Sequence, residues 1–182
     1  DIGLWYARRD TTWQIEAVTT IAGFAGAVGL RLDVQDTPHA VYEWHASQDA
    51  PSQVVYASRG PLEWTSTVVG SPGASPSLAI DTQGWPHVTY IKGSYPGTLS
   101  LMHTYKTAEG WAEEQVLAGL PHHAVAAMAM DRADRLHLIT SWLGQHGPEL
   151  RYAIQDRHHW TFGSPIPLPS AATAVDLVVG PD

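Results

Sequence analysis

Apolar residues along this chain come in short runs, and each run is cut off by Gly, Pro, Asp or Ser. In the stretch 71–118 the runs fall at 77–81, 87–91, 99–105 and 111–117. Runs of this length, rich in Val, Ile, Leu, Thr and Tyr and bounded by turn formers, predict β-strands joined by tight connections. No segment keeps a helical period for more than about two turns. The chain is therefore expected to be all-β.

The runs repeat. Leu78-Ala-Ile-Asp81 is followed by Pro86-His87-Val88-Thr89-Tyr90, and Leu30-Arg-Leu-Asp33 by Pro38-His39-Ala40-Val41-Tyr42. Asp, Pro, His and Tyr thus recur at one 48-residue step. Asp131 and His137 come 50 residues after Asp81 and His87, with Leu136 and Thr140 where Pro and Tyr stood. A second half-pattern accompanies the first: Tyr6, Tyr56, His103 and Tyr152 are followed, seven or eight residues on, by Trp13, Trp64, Trp111 and Trp160. Between the first two runs stands Asp-x-x-Gly at 81–84. It is a tight-turn signal, because Asp bonds its own backbone and Gly supplies a positive φ.

Units of four antiparallel strands repeated every 40 to 50 residues or so predict β-propeller blades. A two-layer β-sandwich is the competitor, but its strands have unequal environments and do not call for repetition in phase. A blade is packed on both faces by its neighbours, so each unit meets the same problem. The near-continuous apolar stretches 27–30 and 126–129 suit innermost strands. The expectation is one domain over 1–182 with about four repeats of four-stranded antiparallel blades. The blade portions fall at about 1–20, 21–70, 71–118, 119–168 and 169–182. Asp81, Gly84, Pro86, His87, Tyr90, Gly110 and Trp111, with their equivalents, give the chain a repeat that resembles the sialidase-like or BNR-like propeller repeats of bacterial proteins. The strict Asp-box of that group, Ser-x-Asp-x-Gly-x-x-Trp, is absent, as are the Trp-Asp dipeptide of WD-repeat blades and the double glycine of kelch blades. The resemblance implies the fold and says little about activity.

The terminal blade is expected to be incomplete. Residues 174–179 align with an innermost strand and residues 1–20 with two outer strands, while the strand between them has no counterpart. Three readings are open: part of a larger propeller, a four-bladed ring with one irregular blade, or a blade completed by strand addition from another copy. The first is preferred. The opening Asp1 fits a processed or cropped chain.

Composition narrows the classes. A chain that is 44% hydrophobic and 15% charged buries a core. Its net charge of -8 comes without a basic cluster, so neither nucleic acid nor anionic membrane is an expected partner. No apolar run is long enough to span a bilayer, and the most apolar stretch, 21–32, is broken by glycines and Arg31. There is no cysteine, which excludes disulfides and thiolate metal sites.

Candidate chemistry lies in the loops between second and third strands, at 43–53, 92–98 and 141–148. They hold Trp44, His45, Asp49, Tyr95, Trp142 and His146, with Trp44 and Trp142 at matching repeat positions. Aromatic rings beside carboxylate and imidazole groups suit stacking on a sugar with hydroxyl recognition. The plainer reading, that these rings cover blade edges, is favoured. His39, His87 and His137 would ring an axis as metal ligands if they faced it, but their place in the repeat favours a structural bond to the Asp turn or a neighbouring strand. The adjacent pairs His122-His123 and His158-His159 point to opposite faces and make no natural chelate. Asp33, Asp81 and Asp131 belong to the turns. No metal or cofactor is expected. Arg31 is a lone arginine on an innermost strand, equivalent to Ala79, Ala129 and Val178, where a sialidase would want a cluster. No nucleophile elbow, phosphate loop or His-Glu-x-x-His motif is present.

The functional expectation is a non-enzymatic binding or scaffold module, extracellular or at the cell surface, with carbohydrate and other copies of itself as candidate partners. The alternative is a glycan-active hydrolase or lyase on the same scaffold, which needs a positioned carboxylate pair.

Overall fold

The computed structural model describes residues 3–20, 23–93, 97–121, 124–144, 147–156 and 159–180. None of them is helical, and the fold is all-β. The first sheet is a two-stranded ribbon of β1 (Leu4–Arg9) and β2 (Trp13–Thr19). The second sheet runs β3 (Phe24–Leu32), β4 (Pro38–His45), β5 (Gln53–Arg59) and β6 (Trp64–Gly70). The third runs β7 (Gly73–Ile80), β8 (Pro86–Lys92), β9 (Leu99–Thr107) and β10 (Gly110–Leu120). The fourth runs β11 (Val125–Met130), β12 (Leu136–Gly144), β13 (Gly147–Asp156) and β14 (His159–Phe162), with the short β15 (Ile166–Pro167) also pairing β13. Within each sheet β1 to β14 pair antiparallel with their sequence neighbours, so the connections are hairpins. No sheet closes on itself.

The sheets stack in chain order, and an apolar layer fills each gap. Val18, Tyr42, Trp44, Val55 and Ala57 join the first two sheets, with Leu4, Tyr6 and Trp64 against them. Val41, Val54, Leu78, Val88, Tyr90 and Met102 join the second and third. Leu101, Met128, Leu136, Leu138, Trp142 and Ala153 belong to the layer joining the third and fourth. A strand packed on both faces has no solvent side, so alternation gives way to continuous burial. That holds most strongly on the second strands, where Pro38 to Tyr42 are all buried. The first strands, expected to be the buried ones, differ: on β3, Val28, Leu30 and Leu32 are each about half exposed. The first sheet has only two strands there and does not reach over them.

Tyr90 shows how close the sheets come. Its ring is fully buried and its hydroxyl donates to Glu113. A Cβ on Gly70 would stand 2.5 Å from the ring, so β6 reaches Tyr90 only without a side chain at that position. The first strands meet as well, since β7 packs against both β3 and β11. Arg31-Leu32, Ala79-Ile80, Ala129-Met130 and Val178-Val179 surround one cavity of about 390 Å³. These four pairs hold the same place in the repeat. Residues 174–179, expected as an innermost strand, form none, although 176–179 line that cavity.

Candidate functional site

The Asp turn is built identically in three sheets. Oδ1 of Asp33 accepts from the backbone N–H of Gln35 and Thr37, both at 2.8 Å. Asp81 takes Gln83 and Trp85 at 2.9 and 2.7 Å, and Asp131 takes Ala133 and Arg135 at 2.8 and 2.9 Å. The fourth turn residue has positive φ in all three: 60° at Asp36, 82° at Gly84 and 57° at Asp134. Only one is glycine; the other two are Asp, which tolerates the left-handed region better than most side chains.

The second carboxylate oxygen faces the repeated histidine. Nε2 of His39 lies 3.3 Å from Asp33 and Nε2 of His137 lies 3.0 Å from Asp131. With that nitrogen donating to a carboxylate, Nδ1 is left to accept, and it meets the hydroxyls of Tyr56 at 2.5 Å and Tyr152 at 2.6 Å. The expected structural role of these histidines is what the structure shows. Burial pushes the Asp33 carboxyl up, but the backbone N–H groups of Thr37 and Gln35 and the His39 ring outweigh it and hold it below its usual value. Asp131 is held lower still: burial again opposes, and His137 and Arg135 dominate. Burial, with the Asp33 charge nearby, pushes the Tyr56 hydroxyl up to about 12.

The third sheet departs from this pattern. His103 stands where the others have tyrosine, fully buried. Its Nδ1 meets Glu114 at 2.8 Å and its Nε2 meets Nδ1 of His87 at 3.0 Å. In the neutral tautomer of His103 that donates to the carboxylate through Nδ1, Nε2 accepts and His87 donates through Nδ1. Nε2 of His87 stands 3.8 Å from Asp81, farther than the 3.3 and 3.0 Å of its counterparts His39 and His137. Glu114 also accepts from Gln155 at 2.7 Å and Trp160 at 2.9 Å, tying the third sheet to the fourth. The His103 hydrogen bond, with those of Trp160 and Gln155, holds Glu114 down at about 2 against the opposing pull of burial.

Beside this chain of side chains opens a cleft of about 590 Å³ between the third and fourth sheets. His87, His103 and Tyr105 stack along one wall, with centroids 5.0 to 5.8 Å apart and planes within 25°. Gln83, Arg135, Gln155 and Asp156 bring amide, guanidinium and carboxylate groups to the same space. Asp134, also on its lining, bonds both the N–H and the hydroxyl of Thr82, joining the turns of adjacent sheets. Two clefts at the corresponding place are smaller. One of about 400 Å³ is lined by Tyr6, Arg8 and Asp36, and one of about 320 Å³ by Tyr56, Lys106 and Trp111.

The residues expected in loops are placed differently from one another: Trp44 and His45 stand on β4 and Trp142 on β12, because those strands run on to His45 and Gly144, and Asp49 lies in the connection between β4 and β5. Trp44 and Trp142 are buried, 6% and 8% exposed, in the layers between sheets. They are not the open platforms that sugar stacking would use. Trp142 also carries the Arg151 guanidinium over its ring at 5.2 Å, and it borders a cleft of about 530 Å³ with Leu143 and Glu149. His45 bonds Glu43 at 2.7 Å, and Asp49 is exposed. Tyr95 and His146 lie outside the described residues, as do His122, His123 and His158; His159 is exposed on β14. Arg31 is exposed and donates to the Leu30 carbonyl, and among the described residues it is the one arginine lining the cavity between the first strands. Among the described residues no group of three or more His, Asp or Glu could hold a metal ion.

Reading the sequence for what repeats passed over Tyr105, Arg135, Gln155 and Asp156. Their signal lay in departures from the repeat: Tyr105 stands where other units have Arg8 and Ser58, and Arg135 where they have Thr37 and Trp85.

No family model matches this chain, and no curated protein matches it. Among solved structures the chain is similar to a fucose lectin from Kordia zhangzhouensis in complex with methyl-fucoside. The TM-score is 0.50 at 14% identity, over 76% of this chain and 98% of that one. At that identity the likeness is one of fold.

Proposed function

We propose that this protein is a non-enzymatic carbohydrate-binding module on a propeller-type scaffold, working outside the cell or at its surface. Its ligand seat is the cleft between the third and fourth sheets. The observation that carries the reading is the meeting of the Tyr105 ring with amide, guanidinium and carboxylate groups in one cleft of about 590 Å³. A pyranose presents C–H faces to an aromatic ring and hydroxyls that both donate and accept. Gln83 and Asp156 at the rim match that demand. The neighbouring carboxylates are engaged in holding the fold: Asp81 in its turn and Glu114 by three donors. That suits binding better than acid–base chemistry. Two facts support the scaffold. Four equivalent residue pairs surround one cavity, as blades around an axis would place them. The fold is also shared with a lectin chain.

The test is calorimetric titration of the 182-residue chain with methyl-fucoside, then with a panel of monosaccharides. Binding of at least one sugar in the range of about 10 µM to 1 mM is expected. Tyr105→Ala and Asp156→Ala should each weaken it by about tenfold or more. If no sugar binds, or if both variants bind as tightly as the parent, the seat is wrongly assigned. The loop-end cleft beside Trp142 is the second place to look, and Glu149→Ala reports on it separately.

A further inference from the structure

We infer that copies of this chain associate head to tail, with the outer face of the first sheet on one copy packing against the outer face of the fourth sheet on the next. The contact that would do this already occurs three times inside the chain. In each case the indole at the start of a fourth strand meets, edge to face, the ring on the third strand of the preceding sheet. Trp64 meets Tyr6 at 5.5 Å and 62°. Trp111 meets Tyr56 at 5.1 Å and 65°. Trp160 meets His103 at 5.7 Å and 89°.

One indole and one ring of this series remain. Trp13 holds the same place in the repeat as the other three indoles, yet it is 64% exposed. Tyr152 holds the same place as Tyr6, Tyr56 and His103; it bonds His137, and among the described residues no indole lies against it. The positions around them agree. Trp5 is 59% exposed, whereas Val55 and Met102 at its repeat position are 6% and 7% exposed. Ile15, on the same face as Trp13, is 66% exposed. At the other end Leu150 is only half-buried, whereas Val54 and Leu101 at its position are fully buried.

Three large apolar side chains on one small ribbon face make an association surface rather than the scattered exposure usual in soluble proteins. The occupant fitted to it is a second copy, because the face around Tyr152 is the one surface of the described residues that repeats the partner seen in the three internal contacts. The two faces differ, so the contact is heterologous: it builds a closed ring of two or more copies, or a filament, and not an isologous pair in which one face meets itself. This inference does not rest on sugar binding.

The test is light scattering on size-exclusion chromatography from about 10 µM to about 200 µM. The parent chain is expected to run at the mass of two or more copies. The Trp5→Ser and Trp13→Ser double variant should run as one copy with an unchanged circular dichroism spectrum, since both side chains are exposed. Leu62→Ser, 91% exposed in the turn between β5 and β6 of the second sheet, should assemble like the parent. A parent that stays at one copy across that range overturns the inference. So does an assembly that survives the double variant, or one that Leu62→Ser also disperses.

Discussion

Asp131 gathers four hydrogen bonds: two backbone N–H groups on Oδ1, and His137 and Arg135 on Oδ2. A buried acceptor of this kind is worth most when counted by what its removal strands. Asp131→Ala leaves two turn N–H groups and a histidine without their partner, and a loss of about 3 kcal/mol is expected in urea unfolding. Asp131→Asn keeps one acceptor oxygen and should lose about half as much. Glu114 makes stability depend on pH. Its folded value is depressed from 4.5 to about 2, so the unfolded chain takes up its proton first as the solution is acidified. The stabilisation is therefore complete above about pH 4.5 and is lost as pH falls through about 2. Allowing for solvent screening, about 2 kcal/mol should disappear over that window. Urea midpoints measured at pH 7, 4 and 2.5 check it, and Glu114→Gln should flatten the slope.

At the scale of the element, the turn and the outer strands do different work. The turn needs a left-handed residue at its fourth position, and the chain meets that need with Gly84 once and with Asp36 and Asp134 otherwise. Asp36→Gly should change the thermal midpoint little. Gly84→Val places a β-branched side chain at φ 82° and should cost about 2 kcal/mol, although a Cβ there meets nothing closer than 3.9 Å. The penalty would come from the backbone and not from a clash. Gly70 is the converse case: a Cβ there would press on the buried Tyr90 ring.

The whole molecule is held by layers between sheets, so an indole matters according to which layer it enters. Trp111 lies against Tyr56 and packs on the layer between the second and third sheets. Trp111→Ala should lower stability by about 3 kcal/mol, as expected for removing a large packed ring. Trp13→Ala, the same substitution at the same repeat position, should change the stability of a single copy by less than about 0.5 kcal/mol, because Trp13 is 64% exposed. Thermal unfolding of the two variants at low protein concentration compares them directly.

The sequence by itself determined the strands of the three full sheets, their hairpin order and the Asp–His turn, because those features are local, while 174–179, expected as an innermost strand, form none. Spacing and residue type within about 50 positions contain them, and repetition in phase exposes them. The third-sheet runs predicted at 77–81, 87–91, 99–105 and 111–117 lie within or against strands Gly73–Ile80, Pro86–Lys92, Leu99–Thr107 and Gly110–Leu120. What belonged to the tertiary structure alone was which face of each sheet is covered. Trp44 and Trp142 read as loop aromatics, yet they stand on β4 and β12 and neighbouring sheets bury them, and Leu30 reads like Leu78 although one is 45% exposed and the other 1%. The cleft holding Tyr105, Gln83 and Asp156 was likewise invisible, since its walls come from sheets about 50 residues apart. A repeat pattern states what each unit has in common; burial depends on the neighbour each unit meets, and that is decided in space.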